Sequence, residues 1–337
     1  MNEQALGQPK ESNSTSSVRR LAPFGWFIRL AAIAAILVGC FSLLYSGYMD
    51  LAPSEAESSE VNPLVITEPT QPELIEAPVP ISSITACIDQ QIIDEAEHPL
   101  APLIEMAEHG VDVVNRNVRD YTAVITKRVR ADGKLQPEFK IFCKIRHAVD
   151  HDNPEKSVPF SVYTRFLTLK KGQEAIWVEN ENDNKLIAHG PSGLLNLMTL
   201  HLDPNGSMAM SGNRYPIMTI GMLNLAKMMI EKGNNDINYD DCEVILTRNV
   251  MVGKARCTKL EIIHHEKADH FEFHRAEIYI DDDRNLPIAF RSFLWPDKPG
   301  GKPRLLEHYS YSNIELNVGL TDADFDPANE EYDYPGM

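Results

Sequence analysis

The hydrophobic and polar positions divide the chain into an apolar run, an acidic stretch and a long patterned region. Residues 24–48 are almost uniformly apolar, and residues 49–97 are acidic and rich in proline. An apolar run of roughly 20 residues is long enough to span a bilayer as a helix. We therefore predict a cytoplasmic tail over residues 1–23, a transmembrane signal-anchor helix over 24–48, a disordered linker over 49–97 and one folded domain over 98–335.

The folded domain begins with a helical pattern and continues with strands, which predicts an α+β fold. Apolar residues recur at helical spacing in Leu100, Leu103, Ile104, Ala107, Val111, Val114 and Val118. After Asp120 the period drops to two and turn signals separate the runs, as in an antiparallel meander. No βαβ alternation is present, which argues against a parallel nucleotide-binding sheet. We predict about ten strands, near residues 119–130, 138–147, 160–169, 173–180, 185–189, 242–250, 254–265, 270–281, 286–295 and 304–314.

Two apolar segments interrupt the strand pattern in the middle of the domain. Residues 191–202 and 219–233 are predicted helices, and seven of the twelve methionines lie between Met198 and Met229. Methionine side chains are unbranched and adaptable, which suits an irregular core as well as a surface that binds variable ligands. The two segments are therefore either ordinary core helices on the sheet or a lid over a cavity.

Cys40 lies inside the apolar run and raises a choice between two kinds of membrane anchor. The tetrapeptide Leu37-Val38-Gly39-Cys40 is typical of sites where bacterial lipoproteins are cut and acylated, but the apolar residues continue past it. We therefore expect an uncut anchor and no acylation of Cys40. Lys10, Arg19 and Arg20 precede the run and Arg29 lies near its start, whereas no Lys or Arg follows before Arg116. Basic flanks remain in the cytoplasm. The expected location is the inner cell membrane, crossed once, with the domain in the periplasm.

Charge restricts the class of partner. The formal net charge is −17, and residues 30–115 contain 14 acidic residues and no Lys or Arg. A strongly acidic chain without a basic stripe argues against a nucleic-acid partner. Residues 24–48 would instead bring the chain to the membrane, where a lipid or a lipidated protein is a plausible class of partner.

Two of the five cysteines fall on neighbouring predicted strands. A turn at Val252-Gly253 would place Cys257 opposite Arg248, whereas Cys242 would lie opposite Ile263. A disulfide between the two would be out of register, so we expect free thiols.

Four histidines between residues 264 and 274 suggest a metal site. A metalloprotease requires His-Glu-x-x-His on one helical face, but His265-Glu266 is followed by a histidine only at His270. In a strand-turn-strand hairpin, His265 would oppose His270 and Glu261 would oppose His274 on the solvent face. We expect solvated side chains there and no resident metal or other cofactor.

Two further motifs are incomplete versions of known sites, so we assign no catalytic residue. In HGPSGL the nucleophile elbow lacks its second glycine, and Ser192 is better explained as the start of a helix. Asp322, Asp324 and Asp326 resemble part of a calcium loop, but Pro327 replaces the glycine that an EF-hand requires. A capped turn explains these aspartates.

Several stretches in this order resemble a bacterial domain-of-unknown-function family: HPLAPLIEMAEHG, DYTAVITKRVRADGKL, PFSVYTRF, RYPIMTIG, RCTKLEI, YIDDDRNLPI and EHYSYSNIELNVGLTDADFDPANEEYDY. The resemblance covers about residues 97–335, and that family is in turn distantly similar to LolA/LolB-type lipoprotein carriers. It implies a curved antiparallel sheet, or incomplete β-barrel, closed by helices around an apolar cavity that accepts acyl chains.

The leading hypothesis is therefore a non-enzymatic domain that binds lipid or lipoprotein acyl chains, with the two inserted helices as its lid. A structural or signalling interaction domain with a filled interior is the alternative, and a metal-dependent enzyme that uses His264 to His274 is a third. The predicted ligand-binding side chains lie at helical spacing in the two inserted segments: Leu194, Leu197, Met198, Met222, Leu225 and Met229.

Overall fold

The computed structural model describes residues 88–131, 133–149 and 156–336. The predicted tail, anchor and most of the linker, together with Cys40, lie outside these residues. Within the part of the chain that is described, no helix is long and apolar enough to cross a membrane.

Twelve antiparallel strands of the described ranges form one open sheet, two more than predicted. The sheet follows the order β7-β6-β5-β4-β3-β1-β12-β11-β10-β9-β8, with β2 paired to β1 beside this path. Most strands that are adjacent in the sheet are also consecutive in sequence, so short connections join them. The strands are β1 (Asp120–Ala131), β2 (Lys134–Leu135), β3 (Phe139–Arg146), β4 (Ser161–Phe166), β5 (Glu174–Val178), β6 (Leu186–His189), β7 (Leu200–Leu202), β8 (Glu243–Val252), β9 (Ala255–Ile263), β10 (Arg275–Asp281), β11 (Leu286–Leu294) and β12 (Arg304–Leu316).

The main core lies on one face of this sheet, here called the helical face. Side chains alternate between the two faces of a strand, and in β1 the residues Tyr121, Ala123 and Ile125 point to the helical face and are fully buried. Cys143 and Ile145 lie beside them on β3. The helices cover this face and are α1 (Gln90–Glu95), α2 (Ala101–Asn117), α3 (Ser207–Met210) and α4 (Met222–Asp236).

The folded part begins earlier than the predicted boundary at residue 98. Asp89 caps α1 by accepting a hydrogen bond from the Ile92 backbone N–H at 3.0 Å, and Ile93 is 1% exposed. The Gln90 side-chain amide donates to the Val244 carbonyl at 2.9 Å and accepts from the Leu246 N–H at 2.8 Å. Residues 88–97 are therefore part of the fold and not of the linker.

The first of the two inserted segments is not the predicted helix. Residues 191–202 contain a short 3-10 helix, Gly193–Leu197, followed by strand β7. Gly193 has a φ of 64°, a left-handed conformation that an α-helix cannot contain. Leu200 then pairs with Ala188 on β6, so the apolar residues serve a strand. The second segment is the predicted helix, α4.

The opposite face of strands β3 to β6 is covered by the C-terminal segment, residues 320–336. Tyr332 stacks on Tyr163 with ring centroids 4.1 Å apart, and its hydroxyl donates to the Asp324 carbonyl at 2.6 Å. Lys144 on β3 pairs with the Asp324 carboxylate at 2.8 Å. Thr321 and Asp324 form a reciprocal capping box around the 3-10 helix Asp322–Phe325, which confirms the capped turn predicted from the aspartates.

The three cysteines in the described part of the chain are free, as predicted, but the strand register around two of them differs. Cys143, Cys242 and Cys257 form no disulfide. Cys257 lies opposite Val250 and not Arg248, because the turn is one residue later than expected. A bulge follows farther from the turn, between Thr247 and Val250. Burial raises the pKa of Cys242 to about 12 and that of Cys257 to about 11, which keeps both in the unreactive thiol form.

Candidate ligand-binding cavity

An apolar cavity of about 110 Å³ lies between α2, α4 and the β9 to β11 part of the sheet. Helix α2 supplies one wall with the apolar stripe that the sequence predicts, and α4 supplies the second wall. The sheet forms the floor. The lining side chains include Leu103, Ile104, Ala107, Val111 and Val114 from α2, Met222, Ala226, Met229, Lys232 and Asp236 from α4, and Leu260, Ile262, Phe273, Ala276, Ile278 and Phe290 from the sheet and its loop.

The cavity includes two of the six predicted ligand-binding residues. Met222 and Met229 line it from α4. Leu225 is buried in the core, 6% exposed, without lining the cavity. Leu197 and Met198 are 71% and 45% exposed and lie outside it. Leu194 belongs to the 3-10 helix, and its side chain lies outside the described part of the structure.

Sequence reasoning missed the larger part of the lining. The sequence predicts a helix from the α2 stripe but assigns it no ligand contact, although its spacing is as regular as that of the second inserted segment. The floor residues were missed because alternation along a strand shows which residues are buried but not which ones face a gap. Only the helix-on-sheet arrangement brings the two sets together.

Helix α4 is fixed at its start by a close contact with the sheet. The Met222 backbone N–H donates to the Tyr121 hydroxyl at 2.9 Å. Gly221, at a φ of 121°, leaves room for this contact, because a Cβ there would lie 3.1 Å from the same hydroxyl oxygen. At the other end a Cβ on Gly233 would lie 3.0 Å from Ile104 of α2. The two glycines let α4 approach both the sheet and α2 closely.

A buried histidine joins the end of α4 to the sheet. His264 is fully buried, with Nδ1 2.8 Å from the Asp241 carbonyl oxygen and Nε2 3.2 Å from the Asp236 carboxylate. Its ring stacks on Phe271 at 3.8 Å. Asp236 lines the cavity, whereas His264 does not. His264 therefore positions a cavity residue without lining the cavity itself.

This arrangement corrects the predicted histidine hairpin. The connection runs from residue 264 to residue 274, where the His264 N–H donates to the His274 carbonyl at 2.8 Å. Glu261 therefore lies opposite Glu277 and not His274. The loop is longer than a tight turn because His264 and Phe271 fold inward and stack. Among the residues that the structure describes, no cluster of three or more His, Cys, Asp or Glu side chains could hold a metal ion.

Ser192 is placed as the sequence predicts, at the start of a helix. It is the residue before the 3-10 helix Gly193–Leu197, and its side chain makes no capping hydrogen bond. It takes no part in the cavity.

A network of four charged side chains lies at the Lys232 end of the cavity. Glu272 contacts Lys232 with one carboxylate oxygen and the Arg214 guanidinium with the other, the latter at 2.5 Å. Arg214 Nε also lies 3.2 Å from the carboxylate of Glu307, whose side chain is buried. Burial raises the pKa of Glu307 and lowers that of Lys232, so in both residues it disfavours the charged form.

Comparison with solved structures gives similar folds at low sequence identity. An uncharacterized conserved protein from Thermus thermophilus shares 13% identity, covers 65% of this chain and 91% of its own, and has a TM-score of 0.33. A LolA superfamily protein from Nitrosomonas europaea shares 12% identity over 66% of this chain and 97% of its own, with a TM-score of 0.28. A chain in the structure of the CwlD amidase from Clostridioides difficile in complex with the GerS lipoprotein shares 11% identity, with coverages of 64% and 94% and a TM-score of 0.21. The low TM-scores leave the function to be argued from this chain's own residues.

The sequence itself identifies the family. No curated protein matches the chain. The model of a family described as "Protein of unknown function (DUF1571)" matches residues 118–334, which is more than half of the chain. The predicted resemblance to a domain-of-unknown-function family is thereby confirmed, and the chain belongs to the DUF1571 family.

Proposed function

We propose that this protein is a non-enzymatic, membrane-anchored carrier or receptor that holds an acyl chain of a lipid or lipidated protein between α2, α4 and strands β9 to β11. The observation that supports this proposal is the composition of the cavity lining. Of the described residues that line the cavity, only Lys232 and Asp236 have charged side chains. A concave apolar site with few polar groups is the usual form of a small-molecule site. An acyl chain matches such a site because the chain is long, thin and free of hydrogen-bonding groups.

The proposal includes a separation of α2 from α4 when the ligand enters. A cavity of 110 Å³ holds the volume of about four water molecules at ~30 Å³ each, whereas ligand sites usually measure ~300–1,000 Å³. The helices lie close together at Gly233 and Ile104, where a Cβ on the glycine would be 3.0 Å from the isoleucine side chain. Met222 and Met229 can adopt several shapes as the wall moves, because methionine has three rotatable bonds and no branch.

Anchoring through residues 24–48 is the second half of the proposal. The apolar run and the basic residues before it support a single span with the domain in the periplasm. Protease added to spheroplasts should then cut between residues 49 and 87 and release the domain. Protection of that segment in intact spheroplasts would contradict the proposed orientation.

A structural or signalling interaction domain is the second candidate. The observation that favours it is the cavity volume itself, because 110 Å³ is too small for a whole acyl chain without movement of the helices. In that case the methionines would be core residues that fill an irregular space. The two candidates differ in whether the wild-type protein binds lipid at all.

The deciding experiment is native mass spectrometry of the full chain in detergent with added palmitic acid. We expect a one-to-one complex in the wild type and a weaker one in Met229→Ala, which changes the cavity wall. Met208→Ala is the matched control, because Met208 is 54% exposed and lies outside the cavity. Absence of any complex with the wild type, together with no co-purified lipid, would replace the carrier proposal by the interaction domain.

A further inference from the structure

The carboxylate of Glu272 occupies a position where two cations meet at the edge of the cavity. One of its oxygens lies 2.5 Å from Arg214 Nη2, and the other contacts the Lys232 ammonium. Lys232 also lines the cavity. The two contacts are charge-assisted, and each uses a separate oxygen, which is also how a ligand carboxylate or phosphate would be bound.

Arg214 has a second ionic partner besides Glu272. Its Nε lies 3.2 Å from the buried Glu307 carboxylate, whose other oxygen accepts from Ser292 at 3.2 Å and from Tyr215 at 3.3 Å. The outer edge of the guanidinium is therefore already aimed at the position of Glu272. An anion that replaced Glu272 would find Arg214 preorganised, which lowers the cost of binding.

Glu272 is the replaceable member of this network. Its side chain is 36% exposed, whereas that of Glu307 is 2% exposed. It lies in the loop between β9 and β10, next to the cavity residue Phe273. Without Glu272, the cations Arg214 and Lys232 would lose the one carboxylate that contacts both of them, although Asp236 and Glu231 still act on Lys232 through their charge. An anion bound in place of Glu272 would restore the charge balance that Glu272 provides.

We propose that Arg214 and Lys232 bind the anionic head group, a carboxylate or a phosphate, of the lipid whose chain enters the cavity, and that Glu272 occupies this position until the ligand arrives. This inference depends on the proposed function and adds the chemical class of the ligand: a single-chain lipid with an anionic head. It also assigns an order, in which the Glu272 contacts break as the head group binds.

The test compares palmitic acid with methyl palmitate, which has nearly the same chain and no charge, by native mass spectrometry of the full chain. We expect the wild type to bind the acid about tenfold more tightly, as one charge-assisted contact predicts. Lys232→Gln should reduce this preference severalfold, and Lys227→Gln, an exposed change on the same helix, should not. Glu272→Gln should strengthen acid binding severalfold, whereas Glu266→Gln in the same loop should leave it unchanged.

The outcomes separate this inference from the proposed function. Equal binding of acid and ester by the wild type, unaffected by Glu272→Gln, would overturn the head-group site while the carrier proposal stands. Binding of neither lipid would remove both proposals. Acetate or inorganic phosphate alone is expected not to raise the melting temperature of Glu272→Gln. If either does so as strongly as palmitic acid, the cations form a site for free anions, and the lipid assignment is wrong.

Discussion

The two covered regions of the sheet differ in how closely their coverings fit. The C-terminal segment, residues 320–336, lies on β3 to β6 with stacked tyrosines and ion pairs that fix its position. Helices α2 and α4 lie on β9 to β11 with aliphatic side chains and methionines, and a cavity of about 110 Å³ remains between them. Directional contacts allow one arrangement, whereas flexible apolar contacts tolerate several. From this difference we expect the first covering to stay in place and the second to move when a ligand enters.

We expect the largest loss of stability from a substitution in the C-terminal segment that covers β3 to β6. Tyr332→Ala removes the stack on Tyr163 and the hydrogen bond to the Asp324 carbonyl, and it leaves a hole that the segment cannot fill. We expect a loss of about 3–5 kcal/mol in the free energy of unfolding, measured in urea. Tyr332→Phe should cost only about 1 kcal/mol, because the ring remains. A cost under about 1 kcal/mol for the alanine variant would mean that the covering is loose.

Two neighbouring positions on α4 give the sharpest contrast inside the second region. Leu225 is buried against the core away from the cavity, whereas Met229 lines it. Leu225→Ala should cost about 3 kcal/mol, and Met229→Ala about 1 kcal/mol, because atoms beside a gap have fewer contacts to lose. Lipid binding should respond in the reverse order. Equal costs in urea unfolding would show that the cavity region is packed as tightly as the rest of the core.

Lys127 lies on β1, between the two regions. Its buried ammonium should make the free energy of unfolding depend on pH. Its ammonium is 5.9 Å from the Phe139 ring centroid and 5.8 Å from that of Tyr309, and it donates to Asn213 at 2.6 Å. Burial lowers its pKa from 10.5 to about 8. Between these values the unfolded chain binds more protons than the folded one, so stability should rise with pH, by about 3 kcal/mol at most.

Unfolding in urea between about pH 7.5 and 10 tests this effect. Lys127→Met should be more stable than the wild type at the lower end of this range, where the buried charge is largely present, and should lose the part of the pH dependence that lysine contributes. An identical slope in both proteins would assign the pH dependence to other groups.

The smallest expected change in stability comes from filling the cavity. Ala107→Leu on α2 adds three carbon atoms to a position that lines the gap. We expect a gain of about 1 kcal/mol in the free energy of unfolding, together with loss of palmitic acid binding. Destabilisation instead would show that the gap closes in solution and that the added side chain overpacks it.

The sequence predicts the elements better than their contacts. The α2 stripe and the alternation in β1 were recognisable because each follows a single period over many residues. The first inserted segment was assigned wrongly, because a short apolar run fits a helix or a strand and only the pairing of Leu200 with Ala188 decides between them. The buried position of His264 could not be predicted, since its partner Asp236 is 28 residues away in sequence.

Gln90 has a consequence for how copies of the protein behave towards each other. Strand β8 is an edge of the sheet, and unpaired N–H and C=O groups at an edge are a template for aggregation. The Gln90 amide forms with Val244 and Leu246 the two hydrogen bonds that a neighbouring strand would otherwise form. One side chain therefore takes the place of a neighbouring strand at these two positions, and we expect it to oppose edge-to-edge pairing of two molecules over this stretch.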